Sequence, residues 1–257
     1  MKKILGTLAL LIAAAGFLFW YRSTSDVKPL SQVLIVGTSA DFPPFSFRSP
    51  EDDQIVGFDI DVIKEVAKRL SLEIEIQDKP FGTLIPQIEL GQIHVIAAGM
   101  TPTPERAKRV HFTKSYLSGN PLLIVTKSSS DIQGLEDLKL KEVIVNTGYT
   151  AETYMTSLMS SMAIMELLRL PRVTDALTAL EYDKADAFVT AAFTLQPYIK
   201  EGDTRFKVHV IPQTDEENAL AISKHLPEEF VQKVQKALDD MEADGTLAAL
   251  KKKWNVL

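Results

Sequence analysis

The chain of 257 residues contains no cysteine, which excludes a disulfide framework, a thiolate metal site and a lipid-modified N-terminal cysteine. Its stability has to come from packing. Histidine is scarce as well: His94, His111, His209 and His225 are too scattered to read as a metal-spaced cluster. Neither a G-x-S-x-G elbow nor a glycine-rich phosphate loop is present, and there is no internal repeat or long low-complexity linker. Positive charge is in deficit, with 28 Lys and Arg against 34 Asp and Glu for a net charge of −6. Removing the three cations Lys2, Lys3 and Arg22 takes that −6 to −9 for the remainder. Such a surface disfavours nucleic acid and anionic lipid, and mildly steers a cationic ligand inward.

Lys2 and Lys3 precede an apolar run over 4–21 that carries no charge, and Arg22, Ser23 and Asp26 then open a polar stretch. The pattern is that of an export signal or a membrane anchor over 1–22. At a rise of roughly 1.5 Å per residue the run would span about 27 Å, close to the hydrocarbon thickness of a bilayer. No small-residue cleavage site stands out, so both the cleaved and the tethered form stay open. The part beyond it is long enough for one large domain or two lobes with separate cores.

Strands and helices then alternate with short connections, the pattern of an α/β fold with mainly parallel sheets. Asp59 or Asp61 can cap a helix whose apolar positions Val62, Val66 and Leu70 recur every three to four residues. Leu72, Ile74 and Ile76 alternate with Glu73, Glu75 and Gln77 as in a half-buried strand. A short helix over 84–90 and a buried strand over 93–98 follow. A second group has strands near 122–125, 143–145 and 187–189 and a helix after Thr150. At the C-terminal end Phe230, Val234, Leu238 and Met241 show helical spacing, and Gly245 separates them from a last helix with Leu247, Leu250 and Trp254.

Three clusters carry chemistry in this pattern. In Gly99-Met100-Thr101-Pro102-Thr103-Pro104-Glu105-Arg106, Thr103 can serve as N-cap with Pro104 in the first helical position. Arg106 then falls in the first turn, where a guanidinium can grip a carboxylate bidentately with the Thr101 hydroxyl and the Gly99 backbone close by. The bland alternative is a capped helix with a solvated arginine, and local pattern alone favours that. Thr147 to Thr150, around Gly148 and Tyr149, also link a strand to a helix and offer backbone amides to an anion. Thr and Gly are common in such turns for geometry alone. In the third cluster, Ser39, Asp41 and Phe42 with Phe81 combine two aromatic faces and an acid, suited to a flat or cationic group. Taken singly, each phenylalanine is more often core.

The segments GTSADFPPF, VGFDID, LIPQIELGQIHVIAAGMTPTPER, VHFTKSYL and DGTLAALKKKW resemble, in order and spacing, the polar amino-acid-binding proteins of ABC transporters, the periplasmic solute receptors of family 3. Arginine-binding members are the most similar. The resemblance covers 31–257. It implies a two-lobed, type II periplasmic-binding-protein-like α/β fold, with lobe 1 over 31–115 and 219–257, lobe 2 over 121–213, and two hinge crossings at 116–120 and 214–218. It further implies a periplasmic monomer, without cofactor or enzymatic activity, that closes on a free amino acid and delivers it to an ABC permease.

On the same resemblance Arg106, helped by Thr101 and the Thr147 to Thr150 turn, would hold the ligand carboxylate. Ala98 and Gly99 would offer backbone groups to the ammonium, and Phe42 and Phe81 would sandwich the side chain. Two positions depart from the pattern. Ala191 stands where many members have the aspartate that holds the ammonium, so that either another acid such as Glu217 takes over or Gly99 and Thr101 suffice with water. Ser39 stands where an aspartate usually meets the ligand side chain, leaving Asp41 as the nearest acid. The expected ligand is L-arginine; a glutamine receptor and an enzyme on the same scaffold, a dehydratase or lyase, are the alternatives.

Overall fold

The computed structural model describes residues 33–162, 166–200 and 202–256. The apolar run over 4–21, read above as an export signal or anchor, lies outside the described residues. Among the described residues no helix is long and apolar enough to cross a membrane.

Two five-stranded sheets carry the fold. The first runs, edge to edge, Glu73–Asp78, Val33–Thr38, Val95–Ile96, Ala221–Ser223, Val110–Phe112. The second runs Glu166–Leu170, Glu142–Asn146, Ala187–Ala191, Leu122–Lys127, Phe206–Val210. In each sheet one strand opposes both of its neighbours: Ala221–Ser223 in the first and Leu122–Lys127 in the second. Val33–Thr38 pairs in parallel with Val95–Ile96, as Glu142–Asn146 does with the strands on either side of it. Both sheets are flanked by helices, as the alternating pattern predicts for this class.

The second sheet shows why its strands read as unbroken apolar runs. Val143, Val145 and Val189 face Met155 of the Thr150–Met162 helix, whereas Ile144 and Phe188 face Leu180 of the Val173–Glu181 helix. With a helix layer on each face, successive residues are buried alternately up and down, and the polar side chains within these strands, Thr126, Asn146 and Thr190, are buried as well. The edge strand Glu73–Asp78 behaves differently. Glu73 and Glu75 are exposed and Ile74 and Ile76 half-buried, the alternation its sequence predicts.

The chain passes between the sheets twice, through 113–121 and 211–220. These passages touch each other at an antiparallel bridge between Leu117 and Asn218 and at the Glu216 N–H, which donates to the Asn120 carbonyl at 3.1 Å. Backbone pairing at this level ties both passages together directly beside the space between the sheets.

The Phe58–Arg69 helix corrects one expectation. Its N-cap is Gly57, at φ 139°, and neither acid of the first turn caps it. Asp59 is instead fully buried, with its carboxylate accepting the Gly99 N–H, and burial raises its pKa to about 6. Asp61 accepts from Lys253 Nζ at 2.7 Å and Trp254 Nε1 at 2.8 Å, which ties the last helix, Thr246–Trp254, to the first lobe. One carboxylate thus braces the strand end next to the cleft and the other anchors the C-terminus.

Gly57 is a sharp test of this corner. A Cβ there would fall 2.2 Å from the Phe45 carbonyl oxygen, on a backbone with φ of 139°. Gly57→Ala is expected to destabilise the fold by on the order of 2 kcal/mol, read from the urea midpoint. An unchanged midpoint would show that the turn relaxes around a side chain.

Candidate functional site

The capped corner at Thr103 forms as its sequence predicts. Thr103 is the N-cap of Pro104–Ala107 and its hydroxyl accepts the Arg106 N–H at 3.2 Å. The Arg106 side chain then turns toward the second sheet. Nη1 donates to the Thr101 carbonyl and Nη2 to the Gly148 carbonyl, each at 2.8 Å. Thr101 belongs to the first lobe and Gly148 to the turn that opens the Thr150–Met162 helix of the second. The guanidinium also lies 5.5 Å from the centroid of the Phe81 ring. Desolvation lowers its pKa to about 10, against the raising influence of Glu216 and Tyr149. At neutral pH it keeps its charge.

The aromatic wall is built from both lobes. Phe81 begins a short 3-10 turn and meets Tyr149 at 4.5 Å between ring centroids. Phe42 stacks on Phe45 at 4.8 Å and its ring edge atoms approach the Gly99 backbone closely. Gly99 has φ 61°, and a Cβ there would sit 2.4 Å from the Phe42 ring, so this approach needs a glycine. The Asp59 carboxylate holds the Gly99 N–H from behind.

Glu216, on the second passage, completes the site. The residue is 9% exposed, and its two carboxylate oxygens accept from hydroxyls of different lobes, Thr101 Oγ1 at 3.1 Å and Thr150 Oγ1. Burial pushes its pKa up to about 7, although the Thr101 hydrogen bond and the charge of Arg106 pull the other way.

The two halves are shut on each other. Arg172 Nη1 lies 3.2 Å from Asp41 Oδ2, and the Tyr198 hydroxyl donates to the Asp41 carbonyl at 2.5 Å. Gly82 and Gly148 meet backbone to backbone, so that a Cβ on Gly148 would lie 2.6 Å from the Gly82 Cα. The cavity left between Phe42, Phe81, Arg106, Tyr149, Thr194 and Glu216 measures about 20 Å³. That is room for about one water molecule, so a larger ligand enters only when the lobes part.

Of the residues predicted from sequence, Phe42, Phe81, Gly99, Thr101, Arg106 and Thr150 come together around this cavity. Ser39, Asp41, Ala98 and Thr147 stand just outside its lining. The Ser39 hydroxyl donates to Asp41 at 2.7 Å, and Asp41 is taken up by Arg172. Ala98 is turned into the core of the first lobe, and the Thr147 carbonyl faces Gly82. Asn120, Tyr149, Ala191, Thr194 and Glu216 line the cavity too. Tyr149 and Ala191 lie inside segments already singled out, but Glu216 carried no local signal. Its neighbour Glu217, the acid expected from sequence, is exposed and accepts from the Ser115 hydroxyl at 2.5 Å.

The model of the bacterial extracellular solute-binding proteins, family 3, matches residues 34–256. The arginine-binding extracellular protein ArtP of Bacillus subtilis (strain 168) is 38% identical over 259 residues, covering 99% of this chain and 98% of that protein. Among solved structures, an ancestral arginine-binding protein bound to arginine superposes with a TM-score of 0.80 at 34% identity, over 88% of this chain and 99% of that one. An ancestral arginine-binding protein bound to glutamine gives 0.78 at 34% identity, over 88% and 98%.

The buried acids make stability depend on pH with a definite sign. Glu216 titrates near 4.5 when unfolded and near 7 when folded, so between these values the folded state holds more protons. Its contribution is therefore full below pH 4.5 and lost as pH rises through 7, on the order of 3 kcal/mol in all. Melting of the ligand-free protein at pH 5 and pH 8 should show a smaller loss on going alkaline in Glu216→Gln than in the wild type. Equal losses would mean that the carboxyl is solvated.

Proposed function

We propose that this chain, which belongs to the bacterial extracellular solute-binding proteins of family 3, shuts its two lobes over a free α-amino acid, L-arginine first among them, and presents it to an ABC permease outside the cytoplasmic membrane. The relatives are named as binding proteins, and the reading here is likewise of capture without turnover. The observation that carries it is Arg106. A guanidinium has five N–H groups, and the bonds to Thr101 and Gly148 engage two of them. Those left over suit the two oxygens of a carboxylate at the mouth of a helix. In this reading the Thr101 hydroxyl and the turn from Thr147 to Thr150 complete the carboxylate site, and the backbone of Ala98 and Gly99 serves the amino end. Phe42 and Phe81 take the side chain between them.

Each lobe by itself offers half of these contacts, so a ligand that touches both favours the shut form, which a permease can distinguish from the open one. The passages at 116–120 and 214–218 act as the hinge, with 31–115 and 219–257 on one side and 121–213 on the other. Arginine is supported by the apolar faces, the acidic surface and the names of the relatives. A glutamine receptor is the second reading, and one observation favours it. Asp41, the acid expected to meet a cationic side chain, is already paired with Arg172 across the cleft.

Calorimetric titration with arginine, glutamine, histidine, lysine and ornithine tests the reading and orders the ligands. Arg106→Ala is expected to weaken every α-amino acid at least a hundredfold, since the carboxylate is common to all and the buried anion would lose its partner. Retained micromolar arginine binding would remove Arg106 from that role. Gly82→Ala puts a methyl 2.8 Å from the Thr147 carbonyl oxygen where the lobes meet. It should weaken binding about tenfold while leaving the melting temperature of the free protein in place. Unchanged affinity would mean that ligand is held without this approach.

A further inference from the structure

The cleft holds one carboxylate whose position the carboxylate corner does not explain. We propose that Glu216 grips the α-ammonium of the ligand, so that the charge pair recognising a zwitterion is Arg106 of the first lobe and Glu216 of the connecting passage. This rests on the reading of the chain as an amino-acid receptor and names the residue that makes it selective for an amino group. No residue of the second sheet supplies that charge: at its cleft end Ala191 presents a methyl to the same cavity.

Three observations converge. Glu216 lines the cavity together with Arg106, so both charged ends of one small molecule lie within reach of a single site. Its hydrogen-bond partners are the neutral hydroxyls of Thr101 and Thr150. An ionised carboxylate this deeply buried is costly without a cation. Arg106 acts on it favourably through its charge, and Asp215 acts against it. An ammonium group brings a full positive charge and three N–H donors to that place. Its arrival also favours the ionised form of Glu216 that burial disfavours, since without it burial raises the carboxyl pKa to about 7.

The location matters as much as the charge. Glu216 sits on the passage between lobes, its N–H held by the Asn120 carbonyl of the other passage. Its two oxygens take one hydroxyl from each lobe, Thr101 and Thr150. A cation drawn to it is therefore drawn to the axis of closure. The same molecule without its amino group would meet Arg106 alone and leave a buried acid unpaired. Selectivity for amino acids over their deaminated counterparts then originates in the connecting passage.

The test compares L-arginine with 5-guanidinopentanoate, which is arginine without its amino group, and L-glutamine with glutaramate, on the full chain by calorimetry. The wild type is expected to prefer the amino acid of the tighter pair at least a hundredfold, and Glu216→Gln to reduce that preference to a few-fold. Arginine or glutamine affinity should fall up to tenfold for each pH unit below 7 in the wild type and stay flat in Glu216→Gln. Glu216→Gln combined with Ala191→Asp, which returns a carboxylate to the same cavity, should recover part of the preference. Circular dichroism and melting establish that Glu216→Gln is folded, and Glu216→Asp, which keeps the charge, should keep most of the preference. Equal weakening of amino acid and deaminated analogue in Glu216→Gln, or an unchanged pH profile, would overturn the proposal while leaving the receptor reading in place. Wild-type protein that binds none of the amino acids would overturn both.

Discussion

Arg106 donates to one carbonyl of each lobe, and the organisation of the cleft follows from where that guanidinium is held. Its charge is taken out of water far enough to lower its pKa to about 10, a cost that the two carbonyls, the Phe81 face and the charge of Glu216 offset. The helix that presents it is only four residues long and would not form by itself. It stands because Thr103 caps it, Pro104 presets its first turn and the strand before it is buried. Rigidity at this point comes from the sheet, and the arginine inherits it.

The second constraint is contact between backbones. Gly82 against Gly148 brings the two halves closer than a side chain at Gly148 would permit, and within the first lobe the Phe42 ring approaches the Gly99 backbone just as closely. Close approach excludes water from the space around Arg106 and Glu216, which strengthens every electrostatic interaction there. It also leaves a cavity of about 20 Å³, so in the proposed reading recognition and opening are coupled. An acid on the connecting passage and a base on a lobe are well placed for that coupling, because parting the lobes separates the Thr101 and Thr150 hydroxyls that Glu216 holds together.

Local chemistry was readable where the cause of a structure lies within a few residues. The Thr103 cap, Pro104 and Arg106 in the first turn, the covered strand Glu142–Asn146 and the alternating edge strand Glu73–Asp78 all appear where their patterns place them. The same logic failed for the Phe58–Arg69 helix. Asp59 and Asp61 look like caps, but a glycine already fills that position, and both acids are recruited by partners about 40 and 190 residues away. The strand Phe206–Val210 is an edge of only five residues whose apolar positions Val208 and Val210 are exposed, so a short alternation there has no buried face to mark it.

The sequence by itself determined the class of fold, the strand-to-helix corners and the placing of Arg106 in a capped first turn, since hydrophobic period and capping act over a few residues. Tertiary structure alone decided that Asp41 is matched by Arg172, 131 positions along the chain, and that Glu216 enters the cleft where Glu217 turns away. Adjacent acids in an irregular passage are locally equivalent. Which one is buried depends on the direction of a backbone held from both lobes, and on hydroxyls at Thr101 and Thr150 that only folding brings to it.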